Sequence, residues 1–135
     1  KLLLVWHSTF RPVEGKDVRC IADCPLRGGD LHSQLKIIFP RGIKAMEFGS
    51  ANPSKVAILS GSGQSAVNKI LDTGSDTLVT GELKQQHFNL AQELGLNLYA
   101  CGHYATETFG VHALAKEVAG KFNLPYEFIE TECLL

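Results

Sequence analysis

The chain has 135 residues, 44% hydrophobic and 20% charged, a globular composition that supplies one core and is too short for two large ones. A formal net charge of −1, with no basic stripe and no interleaved aromatic run, excludes the electrostatic footprint of a nucleic-acid binder. No run approaches the roughly 18 apolar residues of a membrane span, and no signal peptide is recognisable, so a single domain over residues 1–135 in the cytoplasm is expected.

The first residue is Lys1 rather than Met, and the chain opens directly in an apolar run, which suggests missing or processed upstream sequence. That run, Leu2 to Trp6, suits a strand buried on both faces, and His7 follows at its carboxyl end. His7 either faces a cleft or is a satisfied structural histidine. Residues 8 to 29 hold Pro12, Gly15, Pro25, Gly28 and Gly29 and read as a long loop, at most with a short strand from Val18 to Ala22. Asp17 and Asp23 are available carboxylates there. Cys20, Cys24, Cys101 and Cys133 are too few and too irregularly spaced for a disulfide scaffold, and Cys20 and Cys24 lack the two-residue spacing of a zinc knuckle. Reduced thiols are expected, with Cys101 a small buried hydrophobe.

Asp30 predicts a capped helix over Leu31 to Phe39, ended by Pro40 and Gly42, with His32 at its surface. Ile43 to Phe48 alternates as an edge strand, and Gly49 to Pro53 is a turn. Lys55 to Ser60 reads as a central strand. Gly61, Ser62, Gly63 and Gln64 then form a glycine turn leading to a helix over Ala66 to Leu71. Such a turn either closes tightly around nothing or lets backbone amides meet an anionic group at a helix N-terminus. It has neither the dinucleotide-binding glycine spacing nor the phosphate-loop lysine.

Thr77 to Thr80 is the next strand, and Gly81-Glu82 is expected to start a helix running to Leu94-Gly95. Glu82 there complements the helix dipole, with a place in the ligand cleft as the alternative. His87 is turned well away from Glu82 and is not expected to be a ligand.

Leu96 to Cys101 forms a last buried strand, and the residues after Gly102 read as one helix as far as Phe122. His103 and Glu107 therefore sit one turn apart on one face of its first turn. An i,i+4 His and Glu are commonly a solvated surface pair. Placed at a strand-to-helix junction, where open α/β sheets usually hold their ligands, they can also supply two donors to one divalent ion. His112 should face away, and Tyr126 to Glu130 alternates as a final edge strand. The order of elements over residues 55–130 is that of an α/β layered sandwich, a mixed sheet flanked by helices.

Three ordered pieces resemble the NIF-three-like family (NGG-interacting factor three): Val56 to Ser65, Leu78 to Glu82, and Gly102 to Glu107 followed by Gly110 and an Ala-Leu helix. The resemblance covers about residues 54–130, and residues 1–50 look atypical. It implies a two-metal centre with His, His and Asp ligands from the N-terminal half and His and Glu from the C-terminal half. Carried over, His103 and Glu107 match. His7 is the remaining counterpart, because Trp6 stands where the first of the paired histidines is expected, and the Asp-Ala-His-Pro stretch is absent.

The resemblance further implies a metal-dependent hydrolase of the kind labelled type 2 homologues of GTP cyclohydrolase I, binding divalent ions such as Zn, Fe, Mn or Mg. It also implies ring-like homo-oligomers, and a protein partner suggested by the family's name. A non-catalytic metal-binding or assembly module is the competing reading. An anion- or nucleotide-binding domain built on the Gly61 to Gln64 turn is the third.

Overall fold

Alternation of apolar residues in three consecutive strands sends side chains to both faces of one sheet. In the computed structural model, which describes residues 20–26, 28–131 and 133, these strands are β3 (Lys55–Ser62), β4 (Thr77–Glu82) and β5 (Asn97–Ala100). They run parallel, with Ala57, Leu78 and Leu98 in one row and Ile58, Val79 and Tyr99 in the next. Edge strand β1 (Cys20–Asp23) pairs antiparallel with β3, and edge strand β2 (Lys44–Glu47) pairs antiparallel with β5. The order is therefore β1-β3-β4-β5-β2, a mixed five-stranded sheet.

Each row seeds its own core layer. Ala57, Leu59, Leu78 and Leu98 pack with Val67, Ile70 and Ala91, beneath helix α2 (Gln86–Leu94) and two 3-10 turns at Val67–Lys69 and Leu71–Thr73. On the other face Val56, Val79, Tyr99 and Cys101 pack with Leu31, Leu35 and Phe39, in and just after helix α1 (Gly28–Ile38), with Ala105 of helix α3 (His103–Phe122) against them. Each fully buried leucine contributes about 2 kcal/mol. The α/β sandwich with a mixed sheet is thus the observed architecture. Buried Asn97 ties the lower edge together: its carboxamide accepts from the Gly49 amide at 2.9 Å and donates to the Ser50 carbonyl at 2.9 Å. Among the described residues no helix is long and apolar enough to cross a membrane.

Four expectations change. The helix expected over Ala66 to Leu71 is the pair of 3-10 turns, because Asn68, Asp72 and Thr73 are weak helix formers and Gly74, at φ 74, stops the chain. Thr73 donates its hydroxyl to the Ile70 carbonyl, a local bond that competes with a longer helix. Gly81 and Glu82 remain in β4, and α2 begins only at Gln86. Tyr126 to Glu130 forms no strand; this segment lies along α3, where Phe128 stacks on His112 at 3.8 Å and the Thr131 amide donates to the Tyr104 hydroxyl at 3.3 Å. Asp30 sits in the first turn of α1, which starts at Gly28, so its charge complements the helix end from inside. The strand expected at residues 2–6, His7, Asp17 and the loop over residues 8–19 lie outside the described residues.

Candidate functional site

The three parallel strands end side by side, and each has a glycine within two residues of its last residue: Gly61, Gly81 and Gly102. In β3 two residues, Ser60 and Gly61, stand opposite the single Gly81 of β4, a bulge that Gly61 accommodates at φ 69. Gly81 lies directly under the start of α3: a Cβ there would stand 2.5 Å from the Gly61 carbonyl oxygen and 2.8 Å from the His103 Cα. Gly102, at φ 98 and ψ 128, turns the chain from β5 into α3. Thr106 locks the junction. Its hydroxyl accepts from the Gly61 amide at 3.0 Å and shares its own hydrogen between the His103 carbonyl at 2.9 Å and the Gly102 carbonyl at 3.1 Å.

This scaffold presents His103 with a carboxylate on each side. His103 Nε2 lies 3.5 Å from Glu107 Oε1, and Nδ1 lies 3.4 Å from Glu82 Oε1. All three side chains are partly exposed. Both separations exceed the usual 2.7–3.2 Å of an N–H to oxygen hydrogen bond. For two donors each about 2.1 Å from one tetrahedral ion, the expected separation is about 3.4 Å, which the His103 and Glu107 pair matches. Gly61 faces this pair: a Cβ there would stand 2.8 Å from Glu107 Oε1 and 3.2 Å from His103 Nε2, so only glycine leaves the space before them open. The pair fits two corners of a divalent-ion site. Among the described residues no group of three or more His, Cys, Asp or Glu side chains surrounds a common point. The imidazole separates its two carboxylates.

Glu82 is the departure from sequence expectation. It caps nothing: the N-cap of α2 is Gln85. Continued strand pairing, with the Gly102 amide donating to the Gly81 carbonyl at 2.8 Å and the Gly63 amide to the Glu82 carbonyl at 3.3 Å, carries its side chain to the His103 ring. In the Gly61 to Gln64 turn, the amides of Gly61 and Gly63 already donate within the protein, to Thr106 and Glu82. The 3-10 turns that follow carry no helix dipole comparable to that of a full helix.

Other candidates lie elsewhere. Asp23 pairs with Lys55 at the far end of β3 from Gly61, which removes it from the cleft. Cys101 is buried, and burial pushes its thiol up to about 12, the opposite of an activated thiolate. His87 is buried, and its Nδ1 accepts from the Lys84 amide at 3.0 Å, shaping the start of α2. His32 Nδ1 lies 3.0 Å from Glu47 Oε1, which also accepts the Tyr99 hydroxyl at 2.9 Å, at the amino ends of the parallel strands. Thr106 went unnoticed by sequence reasoning although it lies between His103 and Glu107; its i+3 offset from His103 is the only local signal of its role.

A family model described as Duf34/NIF3 (NGG1p interacting factor 3) matches residues 8–133. A curated protein from Deinococcus radiodurans, named GTP cyclohydrolase 1 type 2 homolog, is 42% identical over 81 residues, covering 60% of this chain and 31% of that protein. One of the same name from Haemophilus influenzae is 30% identical over 105 residues, covering 77% of this chain and 42% of its own length. The chain thus spans about a third of the curated relatives it matches. Among solved structures, TTHA1606 from Thermus thermophilus superposes with a TM-score of 0.80 at 29% identity, covering 98% of this chain and 55% of that one. The structure titled protein ybgI, unknown function, gives a TM-score of 0.84 at 27% identity, covering 98% of this chain and 54% of that one.

Proposed function

Because the chain belongs to the Duf34/NIF3 (NGG1p interacting factor 3) family, we propose that it is a divalent-metal-binding protein that acts as a metal-dependent hydrolase. His103 and Glu107 are two of its ligands and His7 is a third. The observation that supports this is the 3.5 Å separation of His103 Nε2 and Glu107 Oε1, facing the gap left by Gly61. Imidazole and carboxylate donors together suit Zn, Fe or Mn better than Mg, which favours all-oxygen sites. The chemistry such an ion supplies when bound is activation of water, whose pKa falls from 15.7 to about 7.

The protein's own groups do the rest. His103 offers a neutral Nε2 lone pair, Glu107 offers negative charge, and Thr106 holds the first turn of α3 against β3 so that both stay aimed at one point. The Ser62 hydroxyl, with the amides of Ser62 and Gln64, is the proposed hold on an anionic group of the substrate. From the name of the curated relatives the reaction class taken over is hydrolysis, and GTP is the first substrate to assay.

The test is metal content per chain after purification, with His103→Ala and Glu107→Ala alongside. The wild type is expected to retain metal, each variant to lose it, and hydrolysis to fall in step. Wild-type protein that takes up no Zn, Fe or Mn overturns the reading.

A second reading, a non-catalytic metal-binding or assembly module, is favoured by the outer face of α3. Val111, Leu114, Val118 and Phe122 form an exposed apolar stripe there, a face suited to a homo-oligomer or a protein partner. Metal loss in the two variants with any hydrolytic rate unchanged selects this reading, and a concentration-dependent mass in sedimentation is expected with it.

A further inference from the structure

The mechanism above leaves one carboxylate of the cluster without a task. Glu82 ends β4, and its Oε1 stands 3.4 Å from His103 Nδ1, on the side of the ring opposite Glu107. Its place is held from several directions. The Glu82 carbonyl accepts from the Gly63 amide at 3.3 Å, and the neighbouring Gly81 is pressed against Gly61 and Thr106 so closely that no Cβ fits. Helix α2 starts four residues later, with Gln85 as its N-cap, so the carboxylate serves no helix end.

A histidine that ligates through Nε2 must carry its proton on Nδ1. An isolated neutral imidazole prefers the other tautomer, with the proton on Nε2, so an Nδ1-protonated ring needs an acceptor at that atom. Ligating histidines commonly have one, which fixes both the tautomer and the plane of the ring. We propose that Glu82 is the positioning residue for His103: its carboxylate, 3.4 Å from Nδ1 and just beyond the usual hydrogen-bond range, closes on that atom and accepts a hydrogen bond from the Nδ1–H, which holds the ring in the tautomer whose Nε2 lone pair faces Glu107. The proposal rests on the reading of His103 and Glu107 as metal ligands, and its tautomer component can be measured without any metal.

Two measurements test it. The first is the ¹⁵N spectrum of the imidazoles in metal-free protein, at a pH where the His103 ring is neutral, in a Glu107→Ala background that removes the competing carboxylate. His103 is expected to carry its proton on Nδ1 there. Adding Glu82→Ala is expected to move it to Nε2, while Glu82→Gln, which keeps an acceptor oxygen, restores the Nδ1 form. The second is titration of otherwise wild-type protein with zinc alone. Glu82→Ala is expected to weaken binding about ten- to a hundredfold, the range seen for such outer partners, and Glu82→Gln to recover most of the loss.

A His103 tautomer that ignores Glu82→Ala overturns the proposal, as does unchanged zinc affinity. Wild-type protein that binds no zinc, iron or manganese overturns the metal reading, and the tautomer result is then read by itself. A merely structural role for Glu82 would alter stability in both variants and leave the ring's proton where it was.

Discussion

Gly81 lies so close beneath Thr106 that a Cβ on the glycine would stand 2.6 Å from the threonine hydroxyl oxygen. The placement of His103 and Glu82 therefore depends on a missing methyl group as much as on any side chain. Gly81→Ala must push the end of β4 away from both Gly61 and the first turn of α3, since two of its clashes are with backbone atoms. Overpacking of this kind costs about 1–3 kcal/mol. Urea unfolding is expected to show that loss, and zinc affinity is expected to fall further than stability does, because the displaced elements carry Glu82 and His103.

Thr106 predicts a second, separable effect. Its hydroxyl is the acceptor for the Gly61 amide, and Gly61 is itself buried. Thr106→Val keeps the shape and leaves that donor without its partner, a cost of about 1–3 kcal/mol. Thr106→Ser retains the acceptor and is expected to lose less than half as much. Amide exchange at Gly61 distinguishes the two, rising in the valine variant and staying slow in the serine variant.

What could be read from sequence follows the range of the forces involved. The helix expected from His103 to Phe122 is observed with those bounds, and the His103 and Glu107 pairing followed from helical geometry alone. Strands β3, β4 and β5 were legible because each holds a short run of β-branched, aliphatic or aromatic residues between turn signals. Glu82 was not. A glycine followed by a glutamate after a strand resembles a helix start, and only pairing with Gly63 and Gly102, nineteen residues before and twenty after it in the chain, keeps Gly81 and Glu82 extended. Its approach to His103 is a tertiary fact without a local signature. The segment Tyr126 to Glu130 failed for a related reason: its alternation suits a sheet edge, but stacking of Phe128 on His112 places it along α3.

Cys101 predicts how stability varies at alkaline pH. Burial pushes its thiol from the ordinary value of 9.0 up to about 12, so the folded protein keeps a proton that the unfolded chain releases. The contribution is fully present below 9.0 and declines as pH rises from there towards about 12, because the unfolded state binds fewer protons throughout that window. Tyr99 acts in the same direction, its phenol raised first by burial and then by its hydrogen bond to Glu47. Urea midpoints are expected to fall as pH rises above 9.0, with a shallower fall in Cys101→Ala. Iodoacetamide is expected to spare Cys101 in folded protein and label it once the chain is unfolded.

The His103 and Glu107 pair predicts a stability effect that exists only with metal. Between partly exposed groups 3.5 Å apart, the direct contact contributes less than about 1 kcal/mol, so Glu107→Ala is expected to leave metal-free stability nearly unchanged. Zinc that binds the folded state and not the unfolded one adds RT ln(1 + [L]/Kd), about 2.7 kcal/mol at a hundredfold excess over Kd. Wild-type protein is expected to gain that increment in a zinc-dependent melting curve, and Glu107→Ala to gain none. An equal zinc shift in both proteins would locate the ion elsewhere and remove Glu107 from the ligand set. A shift in neither would remove the metal.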